Sequence, residues 1–235
     1  MDRFFVDTSA IRGESIELGG AQARQIASVL RLRAGDEITL LADGREHIVT
    51  LASVSASRVT GTVREARAAS GEPRVAIALG LPLLRGDHSE EIVEAVTQLG
   101  VSRIAPFVSA RSVARVLHES KRRRWERIAR EAAETARRGR VPEIEPLRRW
   151  DELLVALRRP LLVAWERETV MRVRYAVPAN VASLAIVVGP EGGLTEDEIV
   201  QARKRGAVTV SLGARNLRSE TAAVAFVSLI ADALG

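Results

Sequence analysis

Apolar residues are distributed in two different ways along this chain. Over the first 70 residues they form short runs broken by polar positions, which predicts strands near Phe4–Val6, Glu37–Leu41, His47–Val54 and Val59–Arg64. One helix is expected there, from Ala21 to Leu30, with Ile26, Val29 and Leu30 on one side. Asp43-Gly44 is a hairpin signal between two of these strands. The stretch Ala66–Arg74 is small, polar and punctuated by Gly and Pro, so it reads as a linker. Beyond it the pattern changes. Val75–Leu79, Ile104–Val108, Leu161–Trp165, Leu184–Val188 and Val208–Leu212 are nearly continuous apolar runs, and a further strand is expected within Pro142–Leu147. They alternate with helical periodicity over Ser89–Leu99, Lys121–Arg137, Trp150–Leu157 and Ser219–Leu234. Such alternation predicts an α/β domain with a largely parallel sheet covered on both faces. On the last helix Ala222, Ala225, Phe226, Leu229, Ile230 and Ala233 form an apolar set that suits either a core or a dimer face.

Two turns stand out because each follows an apolar strand and opens a helix, the layout of a ligand site at the carboxyl ends of parallel strands. The first is GPEGGL, residues 189–194. Its glycines allow close backbone approach, but its charges argue against a phosphate cradle. Glu191 lies in the turn, Thr195 and Glu198 make a capping box, and Glu196 and Asp197 add further carboxylates to the helix start. Neither a GxGxxG nor a GK[ST] ending is present, so polyphosphates are poor candidates and a cationic ligand suits the turn better. The second is LGARNLRSETA, residues 212–222, with Arg215 and Arg218 in a short loop that Ser219 can close as an N-cap. Two guanidiniums beside a cleft suit an anion or nucleic acid, unless Glu191 or Glu220 pairs with them.

Composition narrows the setting. There is no cysteine, so no disulfide framework or thiolate metal site is available. His47, His88 and His118 match no catalytic or metal spacing and are given structural or surface roles; no metal is expected. No apolar run reaches the length needed to span a bilayer and the first residues lack a signal-peptide pattern, which predicts a soluble, cytoplasmic protein. The net charge of +5 is unevenly placed: residues 111–150 hold 13 basic against 6 acidic side chains, whereas residues 1–70 hold 9 of each. Within the basic segment Lys121, Arg122, Arg123 and Arg124 form a run at a helix start, where the dipole disfavours cations and phosphate contact would justify them. Of 35 basic residues only Lys121 and Lys204 are lysine, which favours bidentate phosphate contact but equally fits a genome bias.

The paired motifs GPEGGL and LGxRxLRxETA, in this order near the end of the chain, resemble those of the ribosomal RNA small subunit methyltransferase E family of the SPOUT superfamily. The resemblance extends to QLGVSRIAPFVSARSV (98–113), RRGRVPEI (137–144) and AQARQIASVLRLRAGDEI (21–38), nearly the whole chain. It implies S-adenosylmethionine as cofactor, N3 of a uridine in small-subunit (16S) ribosomal RNA as target, and a homodimer acting on that RNA or the assembled small subunit. It also implies a PUA-like barrel over residues 1–70 and, over 71–235, a SPOUT methyltransferase domain with a C-terminal trefoil knot. From the residues alone the barrel could hold RNA or be purely structural.

Within that resemblance Gly189, Gly192, Gly193, Leu212, Gly213 and Leu217 would line the adenosine and methionine portions, with Glu166 and Glu191 near the sulfonium. Arg215 or Arg218 would stabilise the uridine anion, with water taking the proton because neither motif holds a histidine. Arg122, Arg123, Arg124 and Arg138 would contact RNA. Departures from the family pattern are His88 at a position where lysine is common, Glu94-Ala95, Thr135-Ala136 and Asn216. They leave open a SPOUT enzyme for another RNA or for ribose O2′, and a non-catalytic RNA-binding protein.

Overall fold

A computed structural model describes residues 2–69 and 71–234, and these divide into two compact units. The first comprises the chain up to Glu72 together with Ala133–Arg140, and the second comprises Pro73–Ala132 and Val141 onward.

The first unit is a six-stranded sheet built from β1 (Arg3–Phe5), β2 (Ile11–Arg12), β3 (Ser15–Gly19), β4 (Glu37–Ala42), β5 (Arg45–Val54) and β6 (Arg58–Ala68) in the spatial order β1-β4-β5-β6-β3-β2. Only β1 and β4 pair in parallel. The Asp43-Gly44 turn forms as expected: both residues have positive φ (50° and 73°), and Ala42 pairs with Arg45 across it. Strands β2 and β3 were not anticipated, since their alternation is too short to rise above the turn residues around Gly13. The expected helix is α1 (Gly20–Arg24) running into a π-helical turn over Gln25–Val29. That turn rotates Val29 out to 71% exposure while Ile26 stays buried among Phe4, Ile16, Leu18, Leu40 and Val59. The expected linker is shorter than the composition suggested, because β6 continues through Ala68; Ser70 lies outside the described residues.

Arg138 belongs to this unit and corrects an expectation. It is 1% exposed and paired through both Nε and Nη2 with Glu72, whose carboxylate also accepts from the backbone N–H groups of Gly139 and Arg140. Its guanidinium fastens the returning segment to the end of the first unit and is not offered to an RNA.

The second unit holds a seven-stranded, all-parallel sheet. Its strands are β7 (Ala76–Pro82), β8 (Val101–Val108), β9 (Glu143–Ile144), β10 (Arg148–Arg149), β11 (Leu161–Ala164), β12 (Ser183–Val187) and β13 (Val208–Val210). The order is β10-β8-β7-β12-β11-β13, with β9 also on β8. Its helices are α2 (His88–Gln98), α3 (Glu119–Thr135), α4 (Trp150–Ala156), α5 (Val173–Ala176), α6 (Glu196–Lys204) and α7 (Ser219–Leu234). The continuous apolar strands have the cause expected of them. Leu184, Ile186 and Val188 enter one core with Phe226 and Ile230, while Ala185 and Val187 enter a second core with Leu153 and Ile199 on the opposite face. On α7 the buried stripe is Ala223, Phe226, Val227 and Ile230; Leu229 and Ala233, placed in the apolar set by the sequence pattern, are exposed. No described helix is long and apolar enough to cross a membrane.

Candidate active site

Four neighbouring parallel strands, β7, β12, β11 and β13, end on the same side of the sheet, and the segments that follow them enclose one cavity of about 890 Å³. This volume is in the range of about 300–1,000 Å³ that suits a small-molecule site. Its lining includes Glu166 after β11, Gly189, Glu191, Gly192 and Gly193 after β12, and Leu212, Gly213, Arg215, Leu217 and Arg218 after β13. All ten residues named from the two motifs and the end of β11 therefore converge on one space.

The turn after β12 is built by its own side chains. Thr195 Oγ1 accepts from Glu198 N–H while Glu198 Oε2 accepts from Thr195 N–H, the expected capping box of α6. The other oxygen, Glu198 Oε1, accepts from Ala110 N–H at 2.8 Å, and Arg111 Nη1 donates to the Gly192 carbonyl at 2.9 Å. The buried carboxylate thus clamps the loop after β8 against the glycine turn. Sequence reading assigned Glu198 only to the cap, because the bond to residue 110 is long-range and leaves no local pattern.

The second turn departs from expectation in its cap. Helix α7 begins at Ser219, the carbonyl of Arg218 already accepts from Ala222 N–H, and the buried Ser219 hydroxyl donates to the Gly189 carbonyl at 2.8 Å. Ser219 joins the two motifs instead of capping its own helix. Arg215 and Arg218 are exposed, and among the described residues neither makes an ion pair. The carboxylates that could have absorbed them are otherwise engaged: Glu191 accepts from Arg85 N–H at 3.2 Å, and Glu220 lies beside His88. Two cationic groups are therefore available to a ligand.

His88, expected from the sequence to have a structural or surface role, is part of the site's lining. It lines the cavity with Arg85 and Trp165, and its Nδ1 is 2.8 Å from Glu220 Oε1. As an isolated histidine it carried no motif. The signal was positional: it follows the carboxyl end of β7, as both recognised turns follow their strands.

The cavity fits S-adenosylmethionine on its own terms. Gly213 has φ of 125°, a backbone state that side chains rarely adopt, and a Cβ added there would find no protein atom within 4 Å, so the ligand space reaches the main chain. Gly193 also has positive φ (72°), and a Cβ there would sit 2.9 Å from Glu166 Oε1. Glu166 and Glu191 place two carboxylates in the same lining, the charge that suits a cationic ligand. Among the described residues no group of three or more His, Asp or Glu side chains could hold a metal ion.

The basic run on α3 is largely engaged in ion pairs. Arg122 Nη2 is 2.9 Å from Glu119, and Arg122 also pairs with Glu126. Arg123 is 3.2 Å from Glu119, Arg124 is 2.9 Å from Glu90, and Lys121 donates to the Gly86 carbonyl. These partners account for cations at a helix start without a phosphate.

Comparison with known proteins defines the class first: residues 71–231 match the RNA methyltransferase domain model. Relatives then give the family. The chain is 35% identical to the ribosomal RNA small subunit methyltransferase E of Bacillus subtilis, over 98% of this chain and 96% of that one. It is 30% identical to the Mycobacterium bovis protein of the same name, over 94% and 87%. The crystal structure of the Neisseria gonorrhoeae ribosomal RNA small subunit methyltransferase E bound to S-adenosylmethionine superposes with a TM-score of 0.88 at 27% identity, covering 100% of this chain and 98% of that one. The chain belongs to the ribosomal RNA small subunit methyltransferase E family, and its cofactor is S-adenosylmethionine.

Proposed function

We propose that this protein methylates N3 of a uridine in the 16S RNA of the small ribosomal subunit. The observation that carries the reading is the convergence of both motifs on one cavity in a chain that matches relatives of this name over nearly its full length. S-adenosylmethionine supplies an electrophilic methyl group on a sulfonium, and the chain's part is to hold that group and the base in line. Gly189, Gly192, Gly193, Leu212, Gly213 and Leu217 form the backbone wall against the ligand, while Glu166 and Glu191 favour the cationic sulfur over the neutral product. Arg215 and Arg218, free of ion-pair partners among the described residues, stabilise negative charge on the uracil as its N3 proton is lost.

Residues 1–70 are read as a PUA-like module, and residues 71–235 as the SPOUT methyltransferase domain. A trefoil knot in the latter is supported by its connectivity: after β12 the chain passes β11 and pairs along the far edge of that strand as β13. Two copies acting together, in the cytoplasm where ribosomal subunits assemble, complete the reading. Exposed Leu229 and Ala233 on α7 support it by offering apolar surface to a second chain. Arg122, Arg123 and Arg124 remain the proposed contacts to RNA phosphates, with Arg123, at 74% side-chain exposure, the most available.

The test is nucleoside analysis by mass spectrometry of small-subunit RNA from cells lacking the protein, with and without its restoration. Loss and recovery of N3-methyluridine is the expected result, and an unchanged modification pattern excludes the reading.

A further inference from the structure

We propose that His88, set against Glu220, is the general base that removes the proton from the attacking nitrogen of the acceptor uridine. The inference rests on the function proposed above and adds the proton acceptor that this function requires. His88 opens α2 just beyond the loop that follows β7, and α2 packs against α7, which carries Glu220 in its first turn. The 2.8 Å separation between His88 Nδ1 and Glu220 Oε1 is hydrogen-bonding distance. A carboxylate at that distance favours the ring tautomer with its proton on Nδ1 and its lone pair on Nε2, which makes no hydrogen bond among the described residues. The His88 side chain is 49% exposed on the cavity wall, and that of Glu220 is 22% exposed. One ring nitrogen therefore faces a carboxylate and the other is open.

Elimination supports the assignment. The other ionisable side chains lining the cavity are arginines, which have no lone pair to offer, and glutamates, of which Glu166 and Glu191 are assigned above to the sulfonium and Glu220 stands against the histidine ring itself. Placement supports it as well. Arg218 precedes Glu220 by two residues, so the group that would meet the developing anion and the group that steadies the protonated ring come from one segment. The charged groups on the segments next to His88 include Glu191 after β12, Arg85 and Asp87 on its own loop, Glu90 and Glu91 on its own helix, and Lys121 and Arg124 of α3.

In the proposed step the N3–H proton passes to Nε2 and its bonding pair stays on N3. That pair forms the new bond to the transferred methyl carbon as the carbon–sulfur pair returns to sulfur. The imidazolium, stabilised by Glu220, releases its proton to water at the exposed ring edge. Glu220 acts through the histidine and is a positioning residue.

Single-turnover rates at saturating cofactor and RNA, measured against pH for wild type, His88→Ala and Glu220→Gln with the product nucleoside identified in each reaction, test this. His88→Ala should lose about 100-fold or more near neutral pH, the scale of a lost general base. Its rate should keep rising with pH where wild type levels off, while cofactor affinity by calorimetry stays within about twofold. Glu220→Gln should fall between the two. A second readout needs no turnover: 15N spectra of histidine-labelled protein should show the His88 proton on Nδ1 in wild type and a tautomer mixture in Glu220→Gln. N3-methyluridine formed by His88→Ala at a wild-type rate and pH profile, or a wild-type ring protonated on Nε2, overturns the base while leaving the function intact. A wild-type protein that forms no N3-methyluridine overturns the function reading and this assignment together.

Discussion

The hydroxyl of Ser219 donates to the carbonyl of Gly189 at 2.8 Å, joining the two glycine turns that both line the cavity. Ser219 is buried, so replacing it leaves a carbonyl beside the ligand without its donor. Ser219→Ala should cost about 1 kcal/mol of stability, as a lost buried hydrogen bond does. It should also weaken S-adenosylmethionine binding several-fold, because the turns lose their fixed spacing. Calorimetry and thermal unfolding check the two effects separately.

Gly213 offers a test of backbone approach. At φ of 125° any side chain is strained, and the added carbon meets open cavity, where the proposed ligand would lie, instead of protein. Gly213→Ala should destabilise the protein by about 1–3 kcal/mol, the cost of forcing a residue into such a region. Cofactor affinity should fall by more than that strain predicts. An affinity loss no larger than that of Gly206→Ala, at another positive φ (78°) among residues outside the cavity, would place the ligand away from Gly213.

Arg218 separates chemistry from holding. Its guanidinium has no protein partner among the described residues, and its proposed contact is to charge that develops during methyl transfer. Arg218→Ala should therefore lower the single-turnover rate at saturating RNA by about 100-fold or more while changing RNA affinity little, as expected when an interaction is made mainly in the transition state. A variant that loses affinity and keeps its rate moves Arg218 to the RNA-holding surface.

The two glycine turns were legible because their pattern is local: strand, turn and helix occupy consecutive residues, as GPEGGLTEDE shows for the first. The parallel sheet was legible for a similar reason, since strands covered on both faces leave uninterrupted apolar runs such as LAIVV. What escaped notice depends on long-range partners. Arg138 looked like a member of a basic cluster until Glu72 was found beside it, and Glu198 looked like a cap until its second oxygen met Ala110. His88 gains its meaning only when Glu220, far along the chain, stands next to it. Charge runs report on composition, whereas the partner that neutralises each charge is a property of the fold.

Glu46 gives a pH-dependent prediction within the first unit. Burial of this carboxylate opposes its ionisation, but Arg3 at 2.6 Å and Arg67 at 3.1 Å outweigh burial and hold it below the ordinary glutamate value. A depressed folded-state value means that the stabilisation is present above the unfolded value, about 4.3, and is lost as pH falls through the folded one. Glu46→Gln should cost about 3 kcal/mol at neutral pH, as removal of one buried partner does. Its deficit relative to wild type should shrink in the acid limb below about pH 4 as wild type gives up the same charge. Urea midpoints between pH 7 and 3 test both statements, and a constant difference across that range would show that the pair is not what Glu46 contributes.

The basic run on α3 sets the last prediction, which concerns how many phosphates it can reach. Arg122 lies between Glu119 and Glu126, and Arg124 is held by Glu90, so each brings an acidic partner that already occupies part of its charge. Arg123 is 74% exposed and shares Glu119 with Arg122, which makes it the guanidinium with most freedom to turn outward. Each phosphate contact contributes a slope of about 0.7–0.9 to the dependence of log affinity on log salt. Neutralising Arg122, Arg123 and Arg124 together should therefore shallow that slope by about one unit, where three independent contacts would remove two to three. Arg123→Ala alone should reproduce most of the change, and S-adenosylmethionine affinity should not move in either variant. Filter binding of small-subunit RNA across a salt series decides the matter: a slope unchanged in the triple variant makes the run a self-neutralised helix face, and a drop near three shows that RNA displaces all the carboxylate partners.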